Sequence, residues 1–199
     1  TTGLDHQEAE LVGISLAWGP GEAVYIPVGH RDQSGALVSG QLPIPQVRAL
    51  LSRLLSDDRL QRFAQNWKFD ARVLGRYGFQ VAGPTGDPMV AAYLLDPVRG
   101  SYKLDDLAQR LLQHHMIAYA DIAEGLHHFG YVPLEKAVTY AAEDADATLR
   151  LAFRLRAELE SEGMLALYDE LELPLAPVLA RMEDRGILLD GHVLARLSE

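Results

Sequence analysis

Tyr140 and Asp144 stand four residues apart in the run Tyr140-Ala141-Ala142-Glu143-Asp144, inside a stretch with apolar residues at helical spacing. On a helix that separation puts the phenol and the carboxylate on one face, one turn apart. A carboxylate so placed binds a hard cation, and a hydroxyl beside it holds or orients a water nucleophile. The spacing alone is common, and a solvated acidic helix face explains most isolated cases. A second group, Gln65-Asn66-Trp67-Lys68-Phe69-Asp70, lies between a short strand candidate and a helix. Asn66 is in position to cap that helix, and Asp70 falls in its first turn, where the macrodipole favours an anion. Each group therefore has an ordinary structural explanation beside its chemical one.

The elements that must position these groups follow from periodicity and turn residues. Glu10 to Trp18 and Ala23 to Val28 alternate and flank Pro20-Gly21, which predicts a hairpin, and His30 to Gln41 reads as a loop. Helical spacing predicts helices over 44–55, 68–77, 88–95, 104–114 and 134–162, with Asp87 capping the third ahead of Pro88. Arg62 to Gln65 and Phe79 to Ala82 are short strand candidates. After Gly163 a further helix spans about 165–185, bent by Pro174 and Pro177, and Ile187 to Asp190 reads as extended. Strands alternating with helices indicate an α/β layered fold around a mixed sheet.

Composition narrows the function classes. The 199 residues suit one domain, or one domain with the beginning of another, and 48% apolar content supplies a core. No run approaches the ~20 apolar residues of a membrane span, and the amino terminus has no basic start or apolar leader. The absence of cysteine excludes disulfides, thiolate zinc sites and a cysteine nucleophile, and fits a reducing cytoplasm. A net charge of −10 argues against a nonspecific nucleic-acid clamp. It does not argue against metal-dependent phosphodiester chemistry, whose site is itself acidic. The adjacent pairs His114-His115 and His127-His128 point to different faces and read as loop or helix-end residues; Trp18 and Trp67 read as packing residues.

QNWKFD followed by YAAEDAD closely resembles the second and third motifs of the DEDD-type 3′→5′ exonucleases, with the tyrosine marking the DEDDy branch. Residues 10–30, DPMVAAYLLDP (87–97) and LDDLAQRLL (104–112) resemble the hairpin and middle helices of the exonuclease domain of the bacterial DNA polymerase I family (family A). ELPLAPVLARMEDRGILLD (172–190) resembles its lead into a polymerase domain. The likeness covers essentially the whole chain. It implies an RNase H-like fold, a mixed β-sheet flanked by helices, with residues 1–163 as exonuclease domain and 164–199 as the start of the polymerase domain.

The resemblance also implies roles. Asp70 and Asp144 match metal ligands for a two-ion site holding Mg²⁺ or Mn²⁺, Tyr140 matches the residue that orients the attacking water, and Gln65, Asn66 and Lys68 lie near the substrate. Ser101 departs from the pattern, where an arginine is expected, with Arg99 or Lys103 as stand-ins. Thr1-Thr2-Gly3-Leu4-Asp5 resembles the sequence that follows the first D-x-E motif, so the first strand is expected to be missing from this chain. Asp5, Glu8 and Glu10 come after the motif position and are not expected to replace it. The implied activity is proofreading hydrolysis of single-stranded or frayed DNA 3′ ends by a cytoplasmic monomer linked to a polymerase domain. The chain by itself is expected to bind metal weakly and to be inactive. A non-catalytic scaffold domain and an RNase D-like ribonuclease are the alternatives.

Overall fold

Gly13–Gly19 (β1) and Glu22–Pro27 (β2) pair antiparallel, with Ile14 opposite Ile26 and Leu16 opposite Val24, in the computed structural model, which describes residues 1–198. Gly21 makes the turn with φ of +76°, a conformation that costs glycine nothing. Its N–H donates to Asp146 Oδ1 at 2.6 Å, fastening the hairpin tip to the long helix.

Most helices fall where the periodicity puts them; those at Tyr119–Ala123 and Gly191–Leu197 are not expected from it. They are α1 (Ile44–Ser56), α2 (Trp67–Arg76), α3 (Pro88–Leu95), α4 (Leu104–Leu107) and α5 (Tyr119–Ala123), then the 28-residue α6 (Leu134–Ser161). The tail carries α7 (Leu165–Leu167), α8 (Leu173–Arg185) and α9 (Gly191–Leu197). A π-helical turn, Ala108–Leu112, continues α4, and another, Tyr168–Glu172, joins α7 to α8. Pro174 sits just past the π turn at the start of α8, and Pro177 lies inside that helix.

The sheet is smaller than the mixed sheet expected. Among the described residues it has two strands, and its parallel component is one isolated bridge, Phe63 with Gly86. The strand candidate 62–65 spends its backbone there: Ala64 N–H donates to Gly86 C=O and Thr85 N–H to Arg62 C=O. The candidate at 79–82 forms no strand because its N–H groups go to helices, Phe79 to Leu74 C=O and Ala82 to Leu55 C=O. Residues 187–190 form no strand, and α9 follows them, capped by Asp190.

α6 is the spine. Its alanines, Ala137 and Ala141, let the hairpin approach closely, with Val12, Ile122, Phe129 and Val132 filling the gap. Farther along, Leu151, Leu155 and Leu159 pack on α3, Leu107 and Tyr168. A separate cluster, Leu11, Ile14, Val28, Val47, Val73 and Phe79, joins the hairpin to α1 and α2. Trp67 is buried as expected, whereas Trp18 is 64% exposed on the outer face of the hairpin, contrary to its reading as a packing residue.

The tail is not a loose extension. Tyr168 is buried, and its hydroxyl accepts from Asp87 N–H at 2.6 Å and donates to Asp87 C=O at 3.1 Å. Arg156 of α6 forks onto Asp169 at 2.7 and 2.8 Å, and α8 lies against α2. From Gly186 through Ser198 every residue is exposed.

Candidate active site

One buried carboxylate organises the approach to the site. Asp87 accepts from Met89 N–H at 3.0 Å, capping α3. The same side chain accepts from Asn66 N–H at 3.1 Å and Trp67 N–H at 2.8 Å, capping α2 from twenty residues away. Two helix N-termini thus converge on one anion, each contributing unpaired N–H groups and the positive end of its dipole. Burial pushes the Asp87 carboxyl up, and the bonds from the Trp67, Asn66 and Met89 N–H groups pull against that. Asn66 occupies the cap position of α2 but caps nothing with its side chain; it bends the chain in the left-handed conformation, φ 59°.

This clamp fixes the first turn of α2 and with it Asp70. On α6, Tyr140 and Asp144 are both half-buried and lie one turn apart, as their spacing requires. Asp144 is pushed up to about 7, first by burial, then by the charges of Glu143 and Asp105; the nearby Tyr140 hydroxyl pulls down, and Asp70 adds to the upward push. Asp70 is likewise pushed up to about 7, first by burial and last by Asp87, with the Thr1 amino group opposing. Asp70 is exposed to solvent all the same, which screens that push. Burial, then Asp144, raises the Tyr140 phenol above its usual range, so it stays protonated at neutral pH and acts as a donor.

The donor set at Asp70 and Asp144 is hard carboxylate oxygen whose like charges oppose each other, which suits a divalent cation. No group of three or more His, Asp or Glu side chains converges among the described residues. These two would therefore hold an ion together with water or substrate oxygens. Asp5 is occupied in a turn, accepting from Gln7 N–H at 2.8 Å, and Glu10 faces Arg31 at 3.9 Å; neither adds to the site.

The other expected residues divide. Gln65 is half-buried, its amide donating to Tyr102 C=O at 2.8 Å while its Oε1 is buried without a partner. Lys68 is turned away to pair with Glu183 of α8. Ser101 donates to Asp106, and Arg99 pairs with Asp96. Sequence reasoning missed several neighbours. Glu143 is held by His114 Nε2 at 2.8 Å and Ile117 N–H at 2.7 Å, which gives His114 a defined partner. Asp105 adds charge from α4, and the half-exposed Tyr119 ring stands edge-on to Tyr140, 6.2 Å between centroids. These come together through α5 and the π turn, which no local spacing encodes.

A family described as 3′-5′ exonuclease matches residues 1–160. The chain belongs to the 3′-5′ exonuclease family. Curated proteins agree: DNA polymerase I of Rhizobium leguminosarum is 40% identical over 215 residues, covering 100% of this chain and 21% of that protein. DNA polymerase I of Pseudomonas aeruginosa is 38% identical over 200 residues, covering 98% and 22%. The exonuclease chain thus spans about a fifth of the length of the curated relatives it matches. Among solved structures, the POL domain of Pol1 from M. smegmatis in complex with DNA primer-template and dNTP superposes with TM-score 0.73 at 28% identity, covering 94% of this chain and 28% of that one. NrnC of Brucella melitensis superposes with TM-score 0.70 at 18% identity, covering 93% and 82%, which shows a shared fold.

The raised carboxyls carry a pH consequence for this exonuclease. Both sit near 7 in the fold against an ordinary 3.8. Between those values the folded chain holds protons that the unfolded chain has released. Their contribution to stability therefore falls as pH rises from about 4 to about 7 and is flat above. After discounting for solvent screening the pair is worth about 1–3 kcal/mol. In metal-free buffer, the Asp70→Asn, Asp144→Asn double variant is expected to gain melting temperature over wild type at pH 7.5 and lose that gain near pH 4, measured by thermal denaturation.

Proposed function

We propose that the chain is the proofreading module of a DNA polymerase I, hydrolysing single-stranded or frayed DNA 3′ ends to deoxynucleoside monophosphates. The observation that carries the reading is Tyr140 one turn from Asp144 on α6, with Asp70 close enough for its charge to act on Asp144. Asp70 and Asp144 would hold Mg²⁺ or Mn²⁺. When bound, such ions make water nucleophilic and stabilise the charge of the departing 3′ oxygen. Tyr140, kept protonated, orients the water with its hydroxyl. Gln65, with a free buried acceptor, and Asn66, with its side chain unused as a cap, are assigned to the terminal nucleotide. Lys68 is left out of the substrate contacts because Glu183 holds it.

Melting a mismatched terminus costs less than melting a matched one, which supplies selectivity without sequence reading. Tyr119 offers a ring on which an unpaired base can stack. The setting we propose is a cytoplasmic monomer; no helix among the described residues is long and apolar enough to cross a membrane. We place the exonuclease domain at 1–163, near where the family match ends, with the rest leading to a covalently linked polymerase domain. Because only Asp70 and Asp144 stand at the site, the 199 residues alone are expected to bind metal weakly and to leave DNA undigested.

The test compares matched DNA and RNA oligomers as substrates for a polymerase I that contains this chain, with Mg²⁺ present. Single-stranded DNA is expected to be shortened from its 3′ end, and Tyr140→Phe to slow this by about 10- to 100-fold, in line with one lost water-orienting group. Preference for RNA would favour the ribonuclease reading, and no metal-dependent digestion of either would favour a scaffold.

A further inference from the structure

Glu143 stands beside Asp144 on α6 but is not free to bind a cation, because both of its oxygens are spent elsewhere. Its Oε1 pairs with His114 Nε2 at 2.8 Å, and its Oε2 accepts from Ile117 N–H at 2.7 Å. The side chain is only 17% exposed. Both partners lie in the irregular stretch 113–118, between the π-helical turn after α4 and the start of α5 at Tyr119. That stretch turns at Gln113, which takes the left-handed conformation with φ of 53°. Its backbone bonds are local: His114 N–H donates to Ala108 C=O, and Ala118 C=O accepts from Asp121 N–H. Among the described residues, the hydrogen bonds that fasten 113–118 to the long helix are the two made by Glu143.

What this fastening sets is Tyr119, two residues beyond Ile117. The Tyr119 ring stands edge-on to Tyr140 at 6.2 Å and tilted against Phe129 at 6.4 Å between centroids, and the residue is 47% exposed. Ile117 packs into the same apolar cluster as Tyr140, so the chain enters α5 directly beside the site. α5 is five residues long, too short to be stable by itself, and its place depends on the buried Ile122 and on the chain that leads into it. A carboxylate bond to a backbone N–H is among the stronger hydrogen bonds, and it fixes main chain rather than a rotamer.

We propose that Glu143 is a positioning residue: by holding Ile117 N–H and His114 it sets the Tyr119 ring where an unpaired terminal base stacks, beside Tyr140. The inference rests on the exonuclease reading above. Glu143→Gln removes the charge next to Asp144 but keeps a carbonyl for Ile117 N–H and an amide for His114. Glu143→Ala removes both bonds and keeps the helix. In a polymerase I that contains this chain, with Mg²⁺ present, Glu143→Ala is expected to raise KM for a single-stranded DNA oligomer about tenfold, within the range of one lost base–aromatic stack. Glu143→Gln is expected to hold KM within about twofold of wild type, whatever its kcat. On a Tyr119→Ala background, where the stack is already gone, Glu143→Ala is expected to change KM by less than about twofold. Fluorine NMR of the 199-residue chain carrying 3-fluorotyrosine reads the position without activity. The Tyr119 line, assigned by Tyr119→Phe, is expected to move toward that of free fluorotyrosine in Glu143→Ala and to stay in place in Glu143→Gln. The proposal is overturned by an unmoved line or an unchanged KM in Glu143→Ala, or by a full further loss on the Tyr119→Ala background. Equal losses in glutamine and alanine also overturn it, because they would assign the effect to charge. If the wild type digests no strand at all, the exonuclease reading falls, and the fluorine line alone decides whether Glu143 positions Tyr119.

Discussion

Asp144→Asn, introduced into a polymerase I that contains this chain, is expected to slow metal-dependent release of nucleoside monophosphates from single-stranded DNA by about 10³-fold. A cation shared between two carboxylates contributes several kcal/mol at the transition state, and about 4 kcal/mol corresponds to that factor. Asp144 stands at the centre of the charge pattern: Glu143, Asp105 and Asp70 all push it up, and the Tyr140 hydroxyl opposes them. Asparagine keeps the shape and removes the charge. Asp70→Asn is expected to fall in the same range, and the double variant to be little worse than either, because the two act on one ion. Single-turnover digestion of an end-labelled strand reads all three. Near-wild-type rates in both single variants would remove these residues from catalysis.

Asp87→Ala carries the largest expected cost in stability. Its carboxylate accepts from N–H groups at the starts of both α2 and α3, and it is 3% exposed. Alanine strands those donors in a buried place, where each lost cap bond costs roughly 1 kcal/mol and charged bonds more. A total of about 3–4 kcal/mol is expected, or a fall of about 10 °C in melting temperature for a chain of this size. Asp87→Asn keeps one acceptor oxygen and is expected to lose about half as much. Thermal and urea denaturation of the 199-residue chain give both values, and a loss below about 1 kcal/mol for alanine would show that the two caps are not carried by this group.

Local spacing and turn residues already carry part of the site and fold. Four-residue spacing put Tyr140 and Asp144 on one face of α6, the Asp87-Pro88 pair marked the start of α3, and Pro20-Gly21 marked the hairpin turn. What escaped depends on partners far along the chain. Asp87 reads as a cap of α3, yet nothing nearby reveals that it also caps α2 in place of Asn66. Lys68 is expected near the substrate, and nothing local marks Arg72, yet α8 brings Glu183 and Asp184 to meet them both. The short strand candidates failed for a related reason: strand character needs a neighbour, and the N–H groups of Phe79 and Ala82 found helix carbonyls instead.

The most direct test of the site is Mn²⁺ binding to the 199-residue chain at pH 6.5, followed by titration calorimetry with proton release recorded. Asp70 and Asp144 sit near 7, so a cation that needs both carboxylates ionised must expel protons as it binds. Weak, saturable binding with proton release is expected, both lost in Asp70→Asn with Asp144→Asn. Binding that persists unchanged in that double variant would contradict it.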